Sequence, residues 1–188
     1  TILMYGGYAD WKKNASENDK RAVTEIYIEE GVPVIPNLIF KDLPRVGAVT
    51  IPASVTMIGG AAFAGCSNLS SVVFAKDSEL RTIAFYETAL ESVVIPASVT
   101  AIRKAAFRYC YNLSSVIFAG NQKLKEIGEW AFCETSLESV VIPASVTTIG
   151  KAAFTECKRL SSVTFTGAMN LRTIGAGAFS GTRLHSVM

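Results

Sequence analysis

Few residues in this chain could act as a nucleophile or a base. The only histidine is His185, close to the end of the sequence, and there are four cysteines. Nucleophilic catalysis by serine or cysteine needs a base that a third group holds within a recess. The pattern around His185 instead predicts an exposed position on the outward face of a strand. We therefore predict no catalytic residues and expect a protein that is not an enzyme.

Motifs for metals, phosphates and dinucleotides are missing as well. The cysteines show no C-x-x-C spacing, so no zinc site is expected. Gly150-Lys151 lacks the upstream glycine loop that cradles a phosphate group. The acidic residues Glu91, Glu134 and Glu138 recur with a sequence repeat, and their spacing does not indicate a carboxylate pair. We predict no metal site and no cofactor.

The chain is organised as a repeat of 22 to 25 residues, which is clearest in one column of phenylalanines. A core side chain that returns at such an interval indicates a stacked solenoid, because each short unit can bury its apolar face only against the next unit. The column phenylalanines are Phe40, Phe63, Phe85, Phe107, Phe132, Phe154 and Phe179.

Each unit starts with alternating apolar and small polar residues, which predicts a short β-strand. Three apolar columns are expected to point inward from these strands, and Pro52, Pro96 and Pro143 follow directly where a missing N–H ends pairing. The central column consists of Ile26, Val49, Val72, Val93, Val116, Val140, Val163 and Val187.

The second half of each unit returns the chain to the next strand. An isoleucine lies five residues before each column phenylalanine, except that Ile83 lies only two before Phe85. That unit has therefore lost three residues. Alanine-rich segments such as 151–154 suit a single helical turn, so short helical or 3-10 turns are expected on the return side.

The recurring string IPASVTxIGxxAFxxCxxLxSVxF resembles the leucine-rich repeats of the BspA-like type over roughly residues 23–188. This resemblance implies an α/β fold: a curved right-handed solenoid with one parallel strand per turn, and about seven turns over residues 22–188. Ser98 and Ser145 depart from the pattern, because an inward asparagine would be expected there. The resemblance also implies a secreted or cell-surface bacterial protein for adhesion or protein binding, with a host matrix or cell-surface protein as partner.

The two ends of the repeat are expected to differ. We interpret residues 1–21 as an N-terminal cap in which Trp11 covers the first coil, because a solenoid otherwise exposes its apolar interior. The sequence ends within a predicted strand at Ser186-Val187-Met188. We therefore expect that the natural protein continues past Met188, or that this end associates with another copy.

Composition limits the other classes of partner. The formal net charge is +2 and charged residues make up 18% of the chain, which argues against nucleic-acid binding by a concentrated basic face. No apolar run reaches 18 residues, so no membrane insertion is expected. Cys66, Cys110 and Cys157 share one position in alternate units, about 10 Å apart at ~4.8 Å per coil. This distance exceeds the limit of about 7 Å for a disulfide, so free thiols are expected.

The outward face of the strands is the candidate functional surface. A β-branched row bordered by serines is predicted there, and apolar patches of this kind often mark contact sites. The alternative remains open, because β-branched residues also stabilise exposed strands by packing on their neighbours. A second functional hypothesis is a structural spacer or stalk that presents other domains. The candidate contact residues are Tyr27, Thr50, Val73, Glu91, Val94, Ile117, Glu138, Val141 and Thr164.

Overall fold

Each coil of the repeat carries two short parallel strands, and the alternation of apolar residues predicts the first of them. The structure, a computed structural model, describes residues 2–4, 14–120, 123–168 and 170–184. One short helix, α1 (Glu17–Ala22), begins with a capping box between Ser16 and Asp19. The strands are β1 (Ile2–Met4), β2 (Glu25–Tyr27), β3 (Val34–Ile35), β4 (Ala48–Ile51), β5 (Met57–Ile58), β6 (Ser71–Phe74), β7 (Thr82–Ile83), β8 (Ser92–Ile95), β9 (Ala101–Ile102), β10 (Ser115–Phe118), β11 (Glu126–Ile127), β12 (Ser139–Ile142), β13 (Thr148–Ile149), β14 (Ser162–Phe165) and β15 (Thr173–Ile174).

The even-numbered strands together with β1 form the face that the sequence predicted, which we call the strand face. They pair in parallel as β1-β2-β4-β6, β8-β10 and β12-β14. Register is set by the repeat, so that Val93 lies beside Val116 and Val140 beside Val163. All four of these valines are buried. This arrangement confirms a parallel-strand solenoid whose central column points inward.

The return side holds a second sheet that the sequence analysis did not predict. The seven odd-numbered strands from β3 to β15 form one parallel sheet in chain order, each with only two residues. The isoleucine column, for example Ile102, Ile127 and Ile149, supplies a buried residue to each strand from β3 to β13, whereas Ile174 of β15 is exposed. The alanine-rich segments that follow are hydrogen-bonded turns rather than helices in the described residues.

These turns are joined to one another by a third set of hydrogen bonds. The residues two before and two after each column phenylalanine have left-handed backbone, for example Ala105 (φ 55°) and Tyr109 (φ 64°), except that Ile83 before Phe85 lies in β7. The N–H groups of Ala105, Phe107 and Tyr109 then donate to carbonyls of the next coil at 2.8, 2.7 and 3.1 Å. Left-handed backbone costs about 1–2 kcal/mol at a residue with a side chain, and pairing of these buried groups offsets that cost.

The column phenylalanines form one continuous stack through the molecule. Adjacent rings lie with their centroids 5.2 to 6.2 Å apart, and their planes differ by no more than 25°. From Phe40 to Phe154 each of these rings is fully buried. The stack passes through Phe85 even though that coil is three residues shorter. The predicted aromatic spine is therefore confirmed.

Replacing Phe107 with alanine tests the role of the spine. We expect a loss of about 3–5 kcal/mol in the free energy of unfolding, because the cavity opens between two stacked rings. Phe118→Ala is the control: this ring lies at a strand end and is only partly buried, so its loss is smaller. Urea unfolding followed by circular dichroism measures both values. Equal losses would contradict the assignment of the column.

Candidate functional site

The cysteine thiols belong to the interior of the solenoid. The described structure contains four free, buried cysteines, as predicted. The Cys110 thiol and the Thr88 hydroxyl both donate to the Phe85 carbonyl oxygen, at 3.0 and 3.1 Å. Cys157 and Thr135 share the Phe132 carbonyl in the same way, at 3.0 and 2.9 Å. The residue three positions after the column phenylalanine alternates between Cys and Thr along the repeat. The carbonyl oxygen that both side chains share as an acceptor explains this alternation.

Burial also makes these thiols poor nucleophiles. It raises the pKa of the Cys157 thiol to about 11 and raises the pKa of the Cys110 and Cys133 thiols as well. Because the thiolate is the reactive form, a raised pKa means little thiolate near neutral pH. The geometry therefore gives the thiols a packing and hydrogen-bonding role.

Three features singled out from the sequence lie outside the described part of the chain: Trp11, His185 and the last predicted strand at Ser186-Val187-Met188. The capping role of Trp11, the exposed position of His185 and this strand stay predictions. Within the described residues, no group of three or more histidine, cysteine or acidic side chains could hold a metal ion. A search of the same residues finds no helix with the length and hydropathy needed to cross a membrane.

The candidate row on the strand face is exposed and aligned. Five of its apolar side chains keep 51–56% of their surface accessible: Tyr27, Val73, Val94, Ile117 and Val141. Strand pairing places Val94 beside Ile117, while Thr50 pairs with Val73 and Val141 with Thr164. The predicted residues are thus brought onto one surface, and a contact role for them stays a prediction.

The row is not carried by one continuous sheet, although the sequence analysis expected a contiguous stripe. Within each strand pair the ladder extends past the strand end, as in Ala119 N–H to Ile95 O at 3.1 Å and Thr166 N–H to Ile142 O at 3.0 Å. At the β6–β8 and β10–β12 junctions Pro96 or Pro143 occupies the donor position and has no N–H to give. Pro52 occupies the same position at the β2–β4 junction, where the strands still pair through Ile26 and Val49. The strand face is divided into three ladders.

One of these divisions opens a cleft in the row. The space lies where β10 and β12 separate, between Ile117 and Val141, and has a volume of about 350 Å³. Phe118 and Pro143 also contribute to its lining. An apolar side chain of a partner could enter here.

Polar residues border the row on one side. The serines of the neighbouring row are exposed and lie beside one another, as Ser92 beside Ser115 and Ser139 beside Ser162. Further out, the Ser114 and Ser161 hydroxyls donate to the backbone carbonyls of the exposed acidic residues Glu91 and Glu138, both at 3.3 Å. These hydroxyls therefore help to join coils, and the two carboxylates remain at the border of the row.

Arg103, Lys104 and Arg108 form a basic cluster on the return side, where Arg103 and Lys104 are exposed. In the structure the Arg108 guanidinium lies 4.4 Å from the ring centre of Tyr109 and 5.0 Å from that of Trp130. Lys104 lies over Trp130 and pairs with Glu129 at 3.0 Å. In the sequence, the signal for these contacts is that aromatic and basic residues occur at nearby positions of successive repeats.

Comparison with known proteins places this architecture in a family. The family model described as "BspA type Leucine rich repeat region" matches residues 13–83 and 78–188 with six copies. The chain belongs to the BspA-type leucine-rich repeat family. The resemblance inferred from the repeat is therefore confirmed. No curated protein matches the chain.

Solved structures of three bacterial proteins share the fold. A leucine-rich repeat protein from Bacteroides ovatus is 26% identical with a TM-score of 0.69, covering 89% of this chain and 49% of that one. The pneumococcal vaccine antigen PcpA is 31% identical with a TM-score of 0.61, covering 64% and 30%. A leucine-rich cell surface protein from Faecalibacterium prausnitzii is 31% identical with a TM-score of 0.51, covering 71% and 43%. The match spans half or less of each of these longer proteins.

The raised pKa of the Cys157 thiol predicts a pH-dependent stability. Because the folded-state pKa of about 11 exceeds the value of about 8.5 for a free thiol, this group stabilises the fold fully below pH ~8.5. Its contribution is lost as the pH rises towards 11. We expect the free energy of unfolding to fall over this window, and to fall less in Cys157→Ala. Urea titrations between these pH values measure both slopes, and identical slopes would contradict the assignment.

Proposed function

We propose that the strand face is a protein-contact surface and that the chain is a non-enzymatic adhesion or host-interaction module. The observation that carries the proposal is the aligned row of half-exposed apolar side chains on the strand face. Leucine-rich repeat domains generally mediate protein interactions, and this row is where the fold leaves apolar surface uncovered. An uncovered apolar patch of this kind is typical of a binding surface.

The geometry of the row supports contact with a folded partner. The side chains stand on short paired strands, so they are held at fixed spacing and lose little freedom on binding. The cleft between Ile117 and Val141 gives the row a concave point near its centre, and a second space of about 320 Å³ lies beside Tyr27 and Thr50. An anchoring side chain would be most fully buried at such a point. The exposed carboxylates of Glu91 and Glu138 at the border favour a partner with basic residues around an apolar centre.

We further propose a location at the bacterial cell surface or outside the cell. Two similar structures support this proposal by their descriptions: one is named a vaccine antigen and another a cell surface protein. A host matrix or cell-surface protein is the partner class that such a location favours. A structural spacer would not need an exposed apolar row, and this difference separates the two functional hypotheses.

The test replaces the centre of the row by charge. Val94→Lys combined with Ile117→Lys should abolish binding to immobilised matrix or cell-surface proteins, because two ammonium groups cannot be buried in an apolar contact. The circular dichroism spectrum should not change, since both side chains already point into solvent. Surface plasmon resonance against a panel of such proteins measures the loss.

A matched control places the same charges on the other sheet. Thr148→Lys with Thr173→Lys changes outward positions of β13 and β15 and should leave binding unchanged. If both double variants bind equally well, the strand face is not the contact surface. If the unmodified chain binds no protein of the panel, the spacer hypothesis is favoured instead.

A further inference from the structure

The coil of Phe85 leaves a groove on the return side of the solenoid. In the other coils four residues separate the column isoleucine from the column phenylalanine, whereas Ala84 alone lies between Ile83 and Phe85. The space of the three missing residues is a groove of about 820 Å³. Complete coils form its two walls and the short coil forms its floor. The lining residues that matter below are Ala61, Thr82, Tyr86, Arg103 and Lys104.

At this groove one peptide group is missing from the series of hydrogen bonds that joins the phenylalanine turns of successive coils. In complete coils the N–H two residues before the column phenylalanine donates to the next coil, as in Leu38 to Gly60 O at 3.2 Å and Trp130 to Lys151 O at 3.0 Å. Within the described residues, the equivalent N–H of Ala61 has no acceptor and the equivalent carbonyl of Lys104 has no donor. One wall therefore offers a donor and the other an acceptor.

Glycine follows the column isoleucine in several coils, and the short coil explains why Arg103 occupies that position in one of them. A side chain at Gly128 would place its Cβ 2.8 Å from Ile102 O, and one at Gly150 would place it 2.6 Å from Glu129 N. A complete preceding coil thus requires glycine at this position. Arg103 occupies the equivalent position directly after the short coil, where the obstructing backbone is absent. Its exposed side chain lines the groove.

The floor contains a polar group that lacks a partner. The Thr82 hydroxyl is buried without a hydrogen bond in the described structure, and the residue keeps only 9% of its surface accessible. An unpaired buried hydroxyl is costly, so this position is not optimised for stability alone. Tyr86, partly exposed, closes one end of the groove.

We propose that the groove binds an extended peptide segment of a protein partner, which takes the place of the missing residues. The two walls are two coil spacings apart, about 10 Å at ~4.8 Å per spacing, which is the room that one extended chain needs. One trans peptide group of the segment accepts from Ala61 N–H and donates to Lys104 C=O. This is strand addition, carried out within the turns of the solenoid.

The two walls also distinguish this occupant from an anion. A phosphate or sulfate would need donors on both sides, but the Lys104 carbonyl is an acceptor and repels an anionic oxygen. The charged residues of the lining are Arg103, Lys104 and Glu126. Because the two cations outnumber the one carboxylate, the segment should prefer an acidic residue near the paired peptide group, where Arg103 can pair with it. The groove lies on the return side, away from the strand face, so this proposal stands independently of the proposed function.

The probe is a peptide taken from the chain itself. The acetylated and amidated peptide of residues 127–131, Ile-Gly-Glu-Trp-Ala, contains the three residues that the short coil lacks and the glutamate that Arg103 favours. Isothermal titration calorimetry should show saturable binding at one peptide per chain. Methylation of the tryptophan amide nitrogen, which removes the donor to Lys104 C=O, should weaken binding at least about tenfold, or ~1.4 kcal/mol.

A matched variant fills the groove. Insertion of Gly-Lys-Ala between Ile83 and Ala84, as in the coil of Phe154, combined with Arg103→Gly restores a complete coil and should abolish peptide binding. Arg103→Gly alone keeps the groove and its two backbone groups, so it should retain binding within about tenfold. Circular dichroism establishes that each variant is folded. If the insertion variant does not fold, the comparison of the methylated and unmethylated peptides decides.

Three results would overturn the proposal. These are no saturable binding up to peptide concentrations on the order of 1 mM, equal binding of the methylated peptide, and binding that survives in a folded insertion variant. Dimers that the peptide dissociates in analytical ultracentrifugation would identify a second copy of the chain as the occupant and would overturn the assignment to a partner. None of these results bears on the strand-face variants, which leave the groove unchanged.

Discussion

The structure depends on the need of each coil to close its apolar interior against the next coil. No coil of about 23 residues has enough chain to surround its own phenylalanine, so the ring is buried by the rings above and below it. The stack from Phe40 to Phe179 meets this need, with adjacent ring centres no more than 6.2 Å apart. Because burial is shared in this way, stability is a property of neighbouring coils and one truncated ring affects both of its neighbours.

A second requirement follows from the first, since stacking coils buries backbone as well as side chains. Buried N–H and C=O groups must be paired, and here each coil pairs with its neighbour in three places: the strand face, the sheet of two-residue strands and the turns around the phenylalanines. The turns achieve this through left-handed backbone at residues such as Ala105 and Tyr109. The hydrogen bonds between coils and the aromatic stack thus support the same repeat distance.

The surfaces to which we assign function lie where this pairing is incomplete or uncovered. The strand face presents side chains that have no second layer above them, and it is divided into three ladders. The groove lies where three residues are missing and one peptide group has no equivalent. The chain places its thiols inside the spine, with pKa values raised by burial. Their burial leaves little thiolate near neutral pH.

Much of this site could be predicted from the repeat alone. Columns that recur every 22 to 25 residues fix which side chains share a coil position, so the aligned row that contains Val94 and Ile117 was found without coordinates. Their exposure followed from the alternation of inward and outward residues along each strand. The shortened unit at Ile83 was also evident from spacing. The groove it forms was not predicted, because its walls belong to coils on either side of that unit.

The period, the inward columns, the free thiols and the position of the short coil all follow from the amino-acid sequence alone. The reason is that buried positions require apolar residues, so these residues recur at the same place in each repeat. The second sheet, the left-handed turns at residues such as Ala105 and the division of the strand face were decided by the tertiary structure. Two-residue strands are too short to show a periodicity. Backbone pairing depends on the position of the neighbouring coil, and this position cannot be predicted from the local sequence.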